Sequence, residues 1–126
     1  VVLHKGGTVA LSDFVHMPYD RDILVEVRLP KRGQQAAYVT HRVTATDFPV
    51  LAVAACRTDG QMVCAVGARP QRAELVPRAP DETAEAFANR CADTLTFSTN
   101  LRGSAAYRAH LCRVLVRRAA NALEEE

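Results

Sequence analysis

Apolar and polar positions alternate from Ile23 to Leu29, with Ile23, Val25, Val27 and Leu29 on one side and Leu24, Glu26 and Arg28 on the other. This two-residue period, rich in β-branched side chains, predicts a strand. Pro30-Lys31-Arg32-Gly33 ends it and marks a boundary between two domains. Ahead of it, Lys5-Gly6-Gly7 predicts a turn into an extended piece through Leu11, Ser12-Asp13-Phe14 a second turn, and Pro18-Tyr19-Asp20 a break. Beyond the boundary a second extended segment runs from Gln35 to Thr46 and is punctuated by Asp47-Phe48-Pro49. A hairpin follows: Val50 to Arg57, a turn centred on Asp59-Gly60, then Gln61 to Ala68.

One face of that hairpin carries Leu51, Val53, Met62 and Val66. The other carries Ala52, Ala54, Ala65 and Gly67, with Val50, Cys56 and Val63 towards its ends. Two apolar faces predict cover on both sides, and the small-residue face would let another backbone come close. A short fourth strand, Arg72 to Val76, ends at Pro77. After Pro80 the period lengthens. Asp81 or Thr83 caps a helix in which Ala84, Phe87, Ala88, Cys91 and Leu95 recur at helical spacing. Ser98-Thr99-Asn100 breaks it, and Gly103-Ser104 opens a last helix from about Ala105 to Leu123. Tyr107, Leu111, Val114 and Leu115 make the expected apolar stripe of that helix, with His110, Arg113 and Arg117 opposite. Arg118 falls back on the apolar side as a structural tether. Glu124-Glu125-Glu126 reads as a frayed acidic tail. Strands first and helices second predict an α+β fold: a small antiparallel sheet of three to four strands, followed by and packed against two to three helices.

Composition narrows the function classes without choosing one. At 126 residues and 48% hydrophobic content the chain can build a core. The longest apolar run, Pro49 to Cys56, is too short to span a bilayer. A net charge of +2, with 14 Arg spread from Arg21 to Arg118 and only two Lys, lacks the clustered basic patch of a nucleic-acid binder. Cys56, Cys64, Cys91 and Cys112 form no C-x-x-C pair, and His4, His16, His41 and His110 do not stand at metal-ligand spacings. In the hairpin register Cys56 stands opposite Val63 and Cys64 opposite Ala55, so these two thiols point to opposite faces and cannot bond. Four free thiols fit a reducing, cytoplasmic setting.

A search for catalytic machinery finds no dinucleotide-binding or phosphate-binding glycine loop, no nucleophile elbow and no zinc-protease helix motif. Asp81, Glu82 and Glu85 complement the dipole of a first helical turn. Cys91 with His110 lacks an orienting partner or oxyanion donors. The residues taken alone therefore predict neither a catalytic nor a metal site.

Four stretches together resemble the C-terminal part of the FAD-binding (medium) subunit of molybdenum hydroxylases, the family of xanthine dehydrogenase and aerobic carbon monoxide dehydrogenase. They are Val9-Ala10-Leu11-Ser12-Asp13-Phe14 with Asp22 to Pro30; Ala37-Tyr38 with Thr46-Asp47-Phe48-Pro49-Val50 and Val53-Ala54-Ala55; the hairpin through Gly67, Pro70 and Arg72-Ala73; and Arg102-Gly103-Ser104-Ala105-Ala106-Tyr107-Arg108 with Leu115-Val116-Arg117-Arg118-Ala119. The resemblance implies that residues 1–30 are the C-terminal stub of the FAD-binding domain. Residues 31–123 would be the α+β domain that closes the flavoprotein subunit, and 124–126 the tail. The chain opens on Val1 and reads as a segment of a longer protein, whose glycine-rich pyrophosphate-binding motifs would lie upstream.

In the implied assembly FAD passes electrons from iron–sulfur clusters on a small subunit to an acceptor, while a molybdenum cofactor on the large subunit oxidises the substrate. The resemblance carries two FAD contacts onto this chain. Leu24 would act through its backbone, and Thr40 stands where many relatives have Lys. Asn100 stands where relatives commonly have Asp, which weakens any ion pair expected with Arg102 or Arg108. The small-residue hairpin face would be where the flavin domain sits, and if left bare it would drive self-association. Two rival readings remain. One is a stand-alone, non-enzymatic interaction module docking a partner on that Ala-rich face. The other is a nucleic-acid binder using His110, Arg113 and Arg117, which three solvated cations on one helix face do not favour.

Overall fold

The computed structural model describes residues 1–19, 21–31 and 33–125; Asp20 and Arg32, inside the predicted breaks, and Glu126, in the predicted tail, lie outside the described residues. The chain divides into two units, Val1–Arg32 and Gly33–Glu126.

In the first unit, β1 (Val2–Leu3) and β2 (Gly7–Thr8) form a hairpin around the predicted glycine turn, with Leu3 opposite Gly7. Gly7 has φ +66°, which a side chain would strain. The Asp22 carboxylate ties the turn by accepting hydrogen bonds from the backbone N–H of Lys5 and Gly6. The extended piece expected through Leu11 ends at Thr8, and Ser12-Asp13-Phe14 is helical rather than a turn: α1 spans Leu11–Phe14. The predicted Ile23–Leu29 strand shortens to β3 (Leu24–Glu26), antiparallel to β1, in a sheet of order β2-β1-β3. β1 is only two residues long, so it can pair no more of β3 than this. Ile23, Leu24, Val25, Val27 and Leu29 are all exposed.

The second unit holds a four-stranded antiparallel meander: β4 (Gln35–His41), β5 (Leu51–Thr58), β6 (Gln61–Gly67) and β7 (Glu74–Pro77). Asp59 and Gly60 both have positive φ, the requirement of the tight turn whose twist matches a hairpin. The register is the expected one, with Ala55 opposite Cys64 and Cys56 opposite Val63. β4 stops at His41 instead of Thr46, because Thr44 to Asp47 closes a turn ahead of Pro49. β7 starts two residues later than predicted, since Arg69 gathers the β6–β7 connection by donating to the carbonyl of Arg72.

Two helices cover one face of this sheet. In α2 (Ala84–Thr94), Thr83 is the N-cap and its hydroxyl accepts from the Ala86 N–H. In α3 (Ala105–Ala122), Ser104 does the same for Tyr107. Leu51, Val53, Ala55, Met62, Cys64 and Val66 pack with Phe87, Ala88, Cys91, Leu111, Cys112, Leu115, Val116 and Ala119 into one core. Phe87 is fully buried and alone contributes about 3 kcal/mol. Val50, expected on the small-residue face, is instead fully buried in this core. It precedes the first ladder residue, and its N–H bonds to the His41 carbonyl, so it escapes the alternation of the strand. The opposite face carries Ala52, Ala54, Ala65 and Gly67, flanked by Tyr38, Thr40 and Leu75. The two helices of this unit leave it uncovered.

The stripe on α3 is rotated from its expected position. Arg108, Leu111, Cys112, Leu115, Val116, Ala119 and Ala120 are buried, whereas Tyr107 is exposed and Val114 only half-buried. Arg118, expected as a tether on the apolar side, is solvent-exposed. The tether is Arg108, one full stripe repeat from Leu111 and Cys112.

Candidate functional site

Three segments far apart in the chain meet around Arg108. Asp47-Phe48-Pro49-Val50 forms the β4–β5 connection, Ser98 to Ser104 links the two helices, and Arg108 projects from the first turns of α3. Arg108 is 1% exposed, and four of its five side-chain N–H groups are engaged. Nε donates to the Val50 carbonyl at 3.0 Å, Nη1 to the carbonyls of Ser98 (2.6 Å) and Gly103, and Nη2 to Asn100 Oδ1 at 2.6 Å. Burial, and next the positive charge of Arg102, pull its pKa below the ordinary arginine value.

Asn100 and Gly103 close the interhelical turn with paired backbone hydrogen bonds, and Asn100 Oδ1 also accepts from the Arg102 N–H at 3.0 Å. The Arg102 side chain returns to the other connection: Nε lies 3.3 Å from Asp47 Oδ1 and the guanidinium stacks over Phe48, 5.5 Å from the ring centroid. The Tyr107 hydroxyl lies 3.1 Å from His41 Nε2, in an edge-on ring contact.

Asn100 therefore does not lose the contacts an Asp would make. It keeps them through a neutral amide oxygen, and Arg102 finds its carboxylate in Asp47. Asn100→Asp is expected to turn the Arg108 contact into an ion pair and raise stability by about 1 kcal/mol. A thermal melt a few degrees higher checks it. Gly103 is fixed by space: a Cβ there would stand 3.2 Å from Val50 Cγ1, inside the core. Gly103→Ala should cost about 1–2 kcal/mol, read as a lower urea midpoint.

The two flavin-contact candidates fall in different units. Leu24 is an exposed residue of β3. Thr40 is half-buried in β4, cross-strand from Ala52, on the uncovered face where Ala52 in turn pairs with Gly67. Sequence reasoning named Arg108 only as a partner for position 100, without its burial or its carbonyl acceptors, and passed over Arg69, 1% exposed, which bonds Thr96 and pairs with Glu74.

The remaining sequence candidates separate. Cys91 is buried and its thiol is pushed up to about 11 chiefly by that burial, while His110 is exposed on the outer side of α3. A buried neutral thiol apart from any base is no nucleophile. Glu82 is engaged by Arg90 through Nε at 2.8 Å and Nη2 at 2.7 Å, which holds its carboxyl below the usual range against the opposing effect of burial. Arg113 pairs with Asp93 at 2.6 Å. Among the described residues no group of three or more His, Cys, Asp or Glu could hold a metal ion, and no helix is long and apolar enough to cross a membrane.

No protein-family model matches the chain, and no curated protein matches it. Among solved structures, quinoline 2-oxidoreductase from Pseudomonas putida 86 is similar, with a TM-score of 0.60 and 21% identity over 72% of this chain. The chain spans 37% of the length of that matched chain. The likeness is one of fold: this α+β arrangement of antiparallel strands and covering helices also occurs within an oxidoreductase.

Proposed function

We propose that the chain is a piece of the flavoprotein (medium) subunit of a molybdenum hydroxylase. On this reading residues 1–30 are the end of its FAD-binding domain, 31–123 its C-terminal α+β domain and 124–126 a tail. The observation that carries the reading is the meeting around Arg108. Asp47-Phe48-Pro49-Val50 and Arg102-Gly103-Ser104 to Arg108, two of the stretches that resemble this family, interlock by side chain and backbone. The fold likeness to quinoline 2-oxidoreductase points the same way.

This part of the subunit is structural, supporting the flavin domain and subunit assembly. When bound in such a subunit, FAD supplies the relay of electrons from iron–sulfur clusters of a small subunit to an acceptor, and the molybdenum cofactor of the large subunit oxidises the substrate. The residues present fit one margin of a flavin. The uncovered sheet face presents only methyl groups or hydrogen at Ala52, Ala54, Ala65 and Gly67, so a flat ring could approach closely. Thr40 offers a hydroxyl there; Leu24, in the other unit, is a flavin contact on the resemblance alone, through its backbone. Neither supplies a pyrophosphate cradle, so the firm hold on FAD belongs upstream.

The test is to purify the protein encoded by the complete reading frame with whatever accompanies it, release any flavin with acid, identify it by chromatography and weigh the companion chains. Stoichiometric FAD with one larger and one smaller partner is expected. A second reading, a stand-alone interaction module, is favoured by the same uncovered face, where Tyr38 and Leu75 are 65% and 68% exposed. It requires a flavin-free protein in that experiment, which would overturn the first.

A further inference from the structure

Away from the Arg108 cluster, the far end of the sheet holds a cleft of about 430 Å³ lined by Arg57, Gln61, Met62, Arg78, Pro80 and Glu124, among others. Its volume is that of a small-ligand site. Arg57 pairs across the hairpin with Met62, and the Arg78 N–H bonds the Met62 carbonyl at 2.9 Å. The three therefore stand in a row across β5, β6 and the residue that follows β7, with the two arginines about 10 Å apart at Cα and the buried Met62 between them.

The two guanidiniums differ in occupation. Arg78 is 15% exposed; its Nε donates to the Glu82 carbonyl at 2.7 Å, and its Nη1 pairs with the Glu124 carboxylate. Arg57 is the one half-buried arginine among the described residues with no hydrogen bond or ion pair. The cleft thus already holds one carboxylate on one of its two cations. That carboxylate is 40% exposed, and ion pairs this accessible to water hold weakly. Planar forks of donors on either side of an apolar floor suit the oxygens of a carboxylate or phosphate group.

We propose that this cleft binds a small ligand through a carboxylate or phosphate group placed between Arg57 and Arg78, with Glu124 giving up its contact to Arg78 when the ligand enters. The probes are inorganic phosphate and acetate, titrated separately into the full chain by calorimetry at constant ionic strength, with chloride as the control. Saturable binding of one probe is expected, and which one binds names the group recognised. Arg57→Gln should weaken that binding about tenfold, the effect of one charge-assisted hydrogen bond. Glu124→Gln should tighten it several-fold by removing the internal competitor. Circular dichroism of both variants checks that they remain folded. Neither probe binding above the chloride control would overturn the proposal, as would binding that both folded variants leave unchanged.

Discussion

Replacing Arg108 with Met is expected to destabilise the protein by about 3–5 kcal/mol, a fifth or more of the stability of an ordinary domain. Met fills much of the same volume, so the cost is not chiefly a cavity. It arises because the carbonyls of Val50, Ser98 and Gly103 and the Asn100 side chain lose a common donor at a site with 1% exposure. Each acceptor left dry costs about 1–3 kcal/mol, partly recovered where the loops loosen and admit water. Arg108→Lys should recover only a fraction, since an ammonium cannot reach acceptors fanned around a planar guanidinium. Urea unfolding checks both variants: the midpoint should fall while the slope stays as in the parent. A Met variant within 1 kcal/mol of the parent would mean that the three segments hold together without Arg108.

The contrast between Arg108 and Arg118 shows where the sequence is legible. Period and turn chemistry gave the register of the hairpin, with strand ends within one residue, because Asp59-Gly60 admits one register and that register fixes which way the side chains within the ladder point. Thr83 and Ser104 were readable as caps because a hydroxyl before a helical run has a local partner. The stripe of α3 was harder. Tyr107, Leu111, Val114 and Leu115 are apolar enough to define a face, but the buried face lies to one side of it, on Leu111, Cys112, Leu115, Val116 and Ala119. Alanines and a cysteine carry little hydrophobic signal, and a buried arginine carries the opposite signal. What buries Arg108 is a set of carbonyls presented by loops some ten and sixty residues away, and nothing local announces them. Val50 escaped for a similar reason, since its direction is set by the entry into β5 and not by the alternation within it. The small-residue face was legible as a surface awaiting cover. What covers it is not supplied by α2 or α3.

The second large effect expected is a loss of stability in alkali. Cys64, Cys91 and Cys112 face the same core from β6, α2 and α3, and each is 0% exposed. Burial first, and for Cys64 and Cys112 a neighbouring thiol next, push Cys64 up to about 12 and Cys112 to about 12; burial likewise pushes Cys91 to about 11. In the unfolded chain these thiols ionise near 9, so the folded state holds its protons longer. The stabilisation tied to those protons is complete below pH 9 and is lost as the pH climbs towards the folded values. Each thiol contributes a slope of about 1.4 kcal/mol per pH unit, and the three together about 4 kcal/mol per unit above pH 9. For a total stability of about 5–8 kcal/mol, the lower part of the ordinary range, unfolding is expected between about pH 10 and 11. Cys56 offers the internal control, being half-buried on the opposite side of the hairpin. At pH 8 a thiol reagent should modify Cys56 alone, and all four cysteines should react together only once the far-ultraviolet circular dichroism is lost. Replacing Cys112 with Ala should flatten the alkaline slope by about a third while lowering stability at neutral pH through the cavity it leaves. A slope unchanged in that variant would mean that the buried Cys112 thiol does not carry its share of the alkaline transition.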